Sequence, residues 1–188
     1  MNKFVIILSI ISATGLASAS IPGNIKAQDV ISGKALEINT RPTESLGSVF
    51  VFMSSKCPCS NSHVSVLKNL AGKFTKFNFY AVHSNADEPV ADAQKYFRKA
   101  GLPFPVVQDS DTKLADLMQA FKTPHAFVLD NKGEILYQGG VTNSSNAPSA
   151  DENFLDEVLS DLTAGKPARM SEGRTLGCVI LRKNEIKK

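Results

Sequence analysis

The stretch Ser48-Val-Phe-Val-Phe-Met53, followed by Ser54-Ser-Lys-Cys-Pro-Cys-Ser60, indicates the fold of this chain. Its first part is an uninterrupted apolar run, which is typical of a strand buried on both faces of a helix-covered sheet. Beyond the second part, Val64, Leu67 and Leu70 follow at helical spacing. We therefore expect a buried strand that passes into a helix, with two cysteines at the junction.

Strand and helix patterns alternate on both sides of this junction. Upstream, residues 29–40 alternate around Ser32-Gly33, which predicts an edge hairpin, and residues 20–28 are expected to be irregular. Downstream, the predicted elements are a strand at 74–82, a helix at 89–100, a strand at 104–107, a helix at 111–121, a hairpin at 126–138 and an amphipathic helix at 151–164. This order predicts an α/β fold with a central mixed β-sheet and helices on both faces.

Composition excludes several classes of protein. The 188 residues are 43% hydrophobic and 21% charged, which is ordinary for a globular domain. The formal net charge of +3 is too small to indicate nucleic-acid binding. The loop that follows Gly139-Gly140 lacks the spacing of a phosphate-binding loop. We therefore predict no nucleic-acid partner and no cofactor.

The N-terminus has the pattern of a signal peptide. Lys3 gives a positive charge, residues 4–11 are apolar, and Ala17-Ser18-Ala19 forms a small-x-small cleavage site. The apolar run is shorter than the roughly 20 residues that cross a bilayer. The sequence thus predicts export to a periplasm or to the exterior, with no membrane span after cleavage.

Three segments follow from these patterns. Residues 1–19 are the predicted signal peptide, and residues 20–165 form the predicted α/β domain. Residues 166–188 form a basic C-terminal tail that carries Cys178 and that we expect to be solvated.

The chain has three cysteines, Cys57, Cys59 and Cys178. An odd number in an exported protein leaves at least one thiol outside any intramolecular bridge. Pro58 suits the first turn of a helix, which places Cys57 at or beside the N-cap. Backbone N–H groups at that position, together with the neighbouring Lys56, favour a thiolate. We therefore predict that Cys57 is reactive.

Three segments resemble the redoxin branch of the thioredoxin-fold proteins. This branch includes the alkyl hydroperoxide reductase/thiol-specific antioxidant proteins and the periplasmic thioredoxin-like reductases. Residues 49–60 resemble its strand and active-site segment, residues 123–137 its cis-proline loop and hairpin, and residues 103–115 the segment between them. The resemblance covers residues 27–165 and implies that the predicted domain, residues 20–165, is a thioredoxin-like (redoxin) domain.

The resemblance implies a thiol–disulfide oxidoreductase with a thioredoxin-like fold. Cys57 occupies the position of the nucleophile, Pro124 that of the cis-proline and Thr123 that of the residue before it. The implied partners are a protein or small-molecule disulfide, or a peroxide, and an external thiol that donates electrons.

The resolving cysteine stays open at this point. The thioredoxin motif places its second cysteine where this chain has Ser60. A bond from Cys57 to Cys59 would close a small, strained ring, which raises the reduction potential. The alternative is Cys178, in a Gly-Cys tail that resembles those of some exported redoxins. The predicted catalytic set is therefore Cys57, Cys59, Cys178, Thr123 and Pro124.

Two other functions are kept as alternatives. In a peroxiredoxin-like thiol peroxidase, a proline and a hydroxyl residue precede the reactive cysteine. Here Phe50 replaces the proline, Ser54 keeps the hydroxyl, and no arginine stands out. The other alternative is a non-catalytic chaperone that binds Cu(I) or Zn(II) through Cys57, Cys59 and His63, since Cys59 and His63 share a helix face. His83 or His125 could complete such a site.

Overall fold

The computed structural model describes residues 21–186. The strands within these residues are β1 (Asn24–Asp29), β2 (Ala35–Asn39), β3 (Gly47–Phe52), β4 (Phe77–His83), β5 (Val106–Gln108), β6 (Lys122–Thr123), β7 (His125–Asp130), β8 (Ile135–Gly139) and β9 (Cys178–Val179). The α-helices are α1 (Pro58–Ser62), α2 (Val64–Lys73), α3 (Val90–Ala100), α4 (Lys113–Leu117) and α5 (Phe154–Thr163). Short 3-10 helices lie at Ala147–Ser149 and Lys183–Glu185.

A seven-stranded mixed sheet runs through the centre, in the order β2-β1-β5-β4-β3-β7-β8. The three strands β3, β4 and β5 are parallel, and the remaining pairs are antiparallel. A second sheet consists of β6 and β9 alone. The mixed sheet that the element order predicted is thus confirmed.

The apolar run in β3 is buried because the sheet is covered on both faces. Val49 and Val51 pack into a cluster with α2, α3 and α5, whereas Phe50 and Phe52 pack into a cluster on the other face with α4. All four side chains are fully buried. Each apolar residue of the run therefore has a core to enter, and helices on both faces are confirmed.

Two local predictions are wrong. Residues 24–28 are not irregular but form most of β1, which pairs with both β2 and β5. Their alternation of Ile25 and Ala27 with polar residues supplies one face to pack against the core. The helix expected at 111–121 shortens to α4, since Thr112 and Gln119 on either side of it have positive φ.

The sequence led us to expect a solvated C-terminal tail, and this prediction is wrong. Ile180 is fully buried in the same cluster as Phe50. Arg182 Nε lies 2.7 Å from Asp116 Oδ1, and β9 pairs with β6. The tail is therefore held against the body from β9 as far as Arg182.

The predicted signal peptide, residues 1–19, lies outside the described residues. Among residues 21–186, none of the helices is both long enough and apolar enough to cross a bilayer.

Candidate active site

Cys57 sits where β3 ends and α1 begins. It is the N-cap residue of α1, with Pro58 in the first turn, as the sequence predicted. Its side chain is only 2% exposed, and its thiol donates a hydrogen bond to the carbonyl oxygen of Thr123 at 3.1 Å. The candidate nucleophile is therefore enclosed between the start of α1 and the end of β6.

The Thr123–Pro124 peptide bond is cis, as the resemblance implied. Thr123 lies opposite Cys178 in the pairing of β6 with β9. Gly177 precedes Cys178 with a φ of +152°, and a Cβ atom there would lie 1.9 Å from Thr123 O. Glycine at 177 thus allows the tail to approach the backbone beside Cys57.

The three cysteines come together at this point. The sulfur atoms of Cys57, Cys59 and Cys178 all lie within 4.8 Å of one another. All three are free thiols, with Cys57 buried and the other two partly exposed. The five residues of the predicted catalytic set thus form one cluster, although Cys178 is far from Cys57 along the sequence.

The neighbourhood of Cys57 favours its thiolate. Burial raises the pKa of Cys57, but hydrogen bonds from Cys178, from the Thr123 side chain and from the backbone N–H of Ser60 outweigh it, and the pKa falls to about 7. Thr123 Oγ1 is buried and has no other hydrogen-bond partner among the described residues. The Thr123 hydroxyl is therefore free to donate a hydrogen bond to the Cys57 thiolate.

The other two thiols keep their protons while Cys57 is ionised. Burial, and next the hydrogen bond to Cys57 and its charge, raise the pKa of Cys178 to about 12. Burial and the charge on Cys57 also raise the pKa of Cys59. Near neutral pH the site therefore contains one thiolate, Cys57, beside two protonated thiols, Cys59 and Cys178.

A buried carboxylate, Glu88, holds the segment that leads into Cys57. It accepts hydrogen bonds from the hydroxyl of Ser54 and from the backbone N–H of Ser55, the latter at 2.7 Å, and His83 Nε2 lies 3.1 Å from it. Burial raises the pKa of Glu88, but the hydrogen bonds from His83, Ser54 and Ser55 lower it to about 2. Sequence analysis missed this residue, since nothing in its local pattern points to Ser54.

None of the three histidines belongs to the sulfur cluster. His63 is buried, with Nδ1 2.7 Å from the carbonyl oxygen of Cys59 and Nε2 3.0 Å from Thr142 Oγ1. His83 contacts Glu88, and His125 packs against Phe127 with 4.4 Å between ring centroids. The structure thus brings Cys178, and not His63, together with Cys57 and Cys59 as a group that could bind a metal.

Comparison with known proteins identifies the family. The model of the AhpC/TSA family matches residues 25–138, more than half of the chain, from β1 to the end of β8.

The chain belongs to the AhpC/TSA family.

The matched AhpC/TSA segment contains Cys57, Cys59 and the cis-proline, whereas Cys178 lies beyond it. A curated relative, the thiol-disulfide oxidoreductase ResA of Halalkalibacterium halodurans, is 25% identical over 114 residues, which are 60% of this chain. The present chain spans 64% of the length of that relative.

Solved structures show the same fold. A conserved uncharacterized protein of Geobacillus kaustophilus superimposes with a TM-score of 0.75 at 20% identity, over 90% of this chain and 94% of that one. A secreted disulfide oxidoreductase of Mycobacterium tuberculosis gives a TM-score of 0.54 at 20% identity, over 74% of this chain and 95% of that one. These likenesses confirm the thioredoxin-like α/β fold that the sequence predicted.

The hydroxyl that the peroxidase alternative shares with this chain is bound to a carboxylate. The Ser54 hydroxyl, three residues before Cys57, donates its proton to Glu88. The hydroxyl is therefore turned toward the Glu88 carboxylate, which holds the segment that leads into Cys57.

Proposed function

We propose that this chain is a thiol–disulfide oxidoreductase that acts in the periplasm or outside the cell. Cys57 is the nucleophile and Cys178 is the resolving cysteine. The observation that carries the proposal is that the sulfur atoms of Cys57 and Cys178 lie within 4.8 Å of each other, beside cis-Pro124. Two similar proteins support it: the ResA relative is a thiol-disulfide oxidoreductase, and the M. tuberculosis protein is a secreted disulfide oxidoreductase.

In the first step, the Cys57 thiolate attacks one sulfur of a substrate disulfide. A bond forms between Cys57 Sγ and that sulfur, and the other sulfur leaves as a thiolate that takes a proton from water. The pKa of about 7 keeps much of Cys57 ionised at neutral pH without making it a poor nucleophile. The substrates of this step are disulfides in proteins or small molecules.

In the second step, Cys178 attacks Cys57 Sγ and releases the reduced substrate as a thiol. While Cys57 is ionised, its charge is one of the causes that raise the pKa of Cys178. That charge disappears when Cys57 enters the mixed disulfide, so Cys178 loses its proton more readily at the step that needs it. Two thiol groups of an external donor then reduce the Cys57–Cys178 disulfide and are themselves oxidised to a disulfide.

Two considerations favour Cys178 over Cys59 as the resolving cysteine. A Cys57–Cys59 bond would close a ring that contains only Pro58 between its ends, and such a bond is strained. Cys178 instead reaches Cys57 from a separate strand, which β6 holds in register through Thr123. A Cys57–Cys178 bond needs no closure of a short ring.

The test uses a disulfide-reduction assay with a dithiol as electron donor, for wild type and for the three single Cys→Ser variants. We expect Cys57→Ser to abolish turnover and Cys178→Ser to accumulate a mixed disulfide on Cys57, detected by mass. Cys59→Ser, the matched control that also removes one thiol, should retain turnover. Full activity of Cys57→Ser would disprove the proposal, and faster single-turnover consumption of peroxide than of disulfide would replace it with a peroxidase.

A further inference from the structure

We propose that the reduced protein binds one Cu(I) ion through the sulfur atoms of Cys57, Cys59 and Cys178. This site goes beyond the proposed redox activity, since ion binding requires no turnover. It also differs from the ligand set that the sequence indicated, in which His63 was the third ligand.

The distances among the three sulfurs suit one shared ion. A bond of about 2.3 Å from a metal to a cysteine sulfur lets two sulfurs on the same ion lie up to roughly 4.6 Å apart. The three sulfurs here already lie within 4.8 Å of one another, so small side-chain rotations would bring them onto one ion. The site needs no rearrangement of the backbone.

Two elements hold the ligands in place. Cys57 and Cys59 lie at the start of α1, and Cys178 lies on β9, which is paired with β6 at Thr123. Gly177 lets this pairing approach closely, because any side chain there would collide with the Thr123 carbonyl. The third sulfur is therefore positioned by the fold before an ion arrives.

The composition of the cluster favours Cu(I) over Zn(II). Thiolates are soft ligands and suit both ions, but a structural zinc site almost always has four protein ligands in a tetrahedron. Cu(I) is satisfied by two or three thiolates. Among residues 21–186, the cluster of metal-ligand-type side chains at this point contains three sulfurs and no histidine or carboxylate.

His63 is committed elsewhere and does not supply a fourth ligand. Its Nδ1 lies 2.7 Å from the carbonyl oxygen of Cys59, and its Nε2 lies 3.0 Å from Thr142 Oγ1. Both ring nitrogens would have to give up these buried contacts to bind an ion. The structure therefore favours an all-sulfur site.

Binding forms three Cu–S bonds and releases to water the protons of the thiols that were still protonated. No electron is transferred, because copper enters as Cu(I) and remains Cu(I). The same sulfurs cannot hold the ion and form a disulfide at once. Bound copper should therefore protect Cys57 from oxidation and alkylation.

The test is an anaerobic titration of the reduced full chain with Cu(I) against a chromophoric chelator, bicinchoninate. We expect one Cu(I) per chain, and an X-ray absorption spectrum of the wild-type complex with three sulfur neighbours and no nitrogen. Cys178→Ser should weaken binding by at least about 100-fold, since losing a ligand costs more than losing an outer partner of one. His63→Gln, the control, should leave the affinity unchanged.

Three results would overturn the proposal. These are a nitrogen neighbour in the wild-type spectrum, equal affinity for Cys178→Ser and wild type, and stoichiometric Zn(II) binding without Cu(I) binding. The wild-type spectrum decides the ligand set even where a variant folds poorly. None of these readouts depends on disulfide turnover, so the redox proposal and the copper proposal fail separately.

Discussion

Cys178 lies directly opposite Thr123 in the β6–β9 pair, and Thr123 accepts the hydrogen bond of Cys57. A single backbone position therefore connects the N-terminal cysteine motif with the C-terminal tail. The tail cysteine stands beside the nucleophile because its strand pairs with the residue before the cis-proline. The predictions below test this connection and the network around it.

Gly177→Ala should separate Cys178 from Cys57. A Cβ at position 177 would lie 1.9 Å from Thr123 O, so β9 must shift away. We expect a loss of about 1–3 kcal/mol in the free energy of unfolding, as for other overpacked sites. We also expect a large drop in the yield of the Cys57–Cys178 disulfide after mild oxidation, measured by peptide mass mapping.

Gly165→Ala provides the matched control for this change. Gly165 also has a positive φ, +70°, but nothing lies within 4 Å of its virtual Cβ. Its substitution should cost roughly 1–2 kcal/mol through backbone strain and leave the disulfide yield unchanged. An unaltered yield in Gly177→Ala would contradict the role assigned to β9.

Glu88→Gln should lower stability near neutral pH by an amount on the order of 2–3 kcal/mol, because it removes a buried charged acceptor from Ser54, Ser55 and His83. The folded-state pKa of about 2 lies below the ordinary value of 4.5. The carboxylate thus stabilises the fold above the unfolded-state pKa, and this contribution is lost as pH falls toward 2. Urea unfolding at pH 7 and pH 3 measures it.

The difference in stability between wild type and Glu88→Gln should therefore shrink between pH 7 and pH 3. Glu134→Gln, at an exposed carboxylate, controls for the loss of one negative charge and should have little effect at either pH. A difference that stayed constant over this range would show that Glu88 does not act as an ionised acceptor.

Alkylation of Cys57 in the reduced, metal-free protein should rise through pH 7. The thiolate is the reacting form, and the pKa of Cys57 is about 7. Burial of the side chain should slow the reaction at every pH without moving its midpoint. Iodoacetamide labelling, resolved by peptide mass, reports each cysteine separately.

Cys178 serves as the internal comparison in that experiment. Its pKa of about 12 predicts little labelling over the range in which Cys57 reacts. A Cys57 midpoint near 9, the ordinary value for a thiol, would refute the thiolate assignment.

Export makes a separate prediction about the mature chain. When the full sequence is expressed in a bacterium, we expect protein from the periplasmic fraction to begin at Ser20, after cleavage behind Ala19. Intact-mass measurement of that fraction identifies the first residue. Recovery of the uncleaved chain from the cytoplasm alone would contradict the predicted signal peptide.

Much of the fold follows from local sequence patterns. The apolar run that became β3, the hairpin of β7 and β8, and helix α3 with its C-terminal Gly101 all follow from periodicity and turn residues. Periodicity failed where short elements depend on neighbours. Residues 24–28 became a strand because β5 and β2 offered partners, and α4 was cut short by positive φ at its flanks.

The sequence by itself determined that Cys57 lies between a buried strand and a helix, because hydrophobic pattern and proline chemistry act over a few residues. Only the tertiary structure decided which distant groups reach it. Cys178 arrives through the pairing of β9 with β6, and Glu88 reaches the preceding loop from beyond β4. Such contacts depend on how the chain packs over its whole length, and no local spacing encodes them.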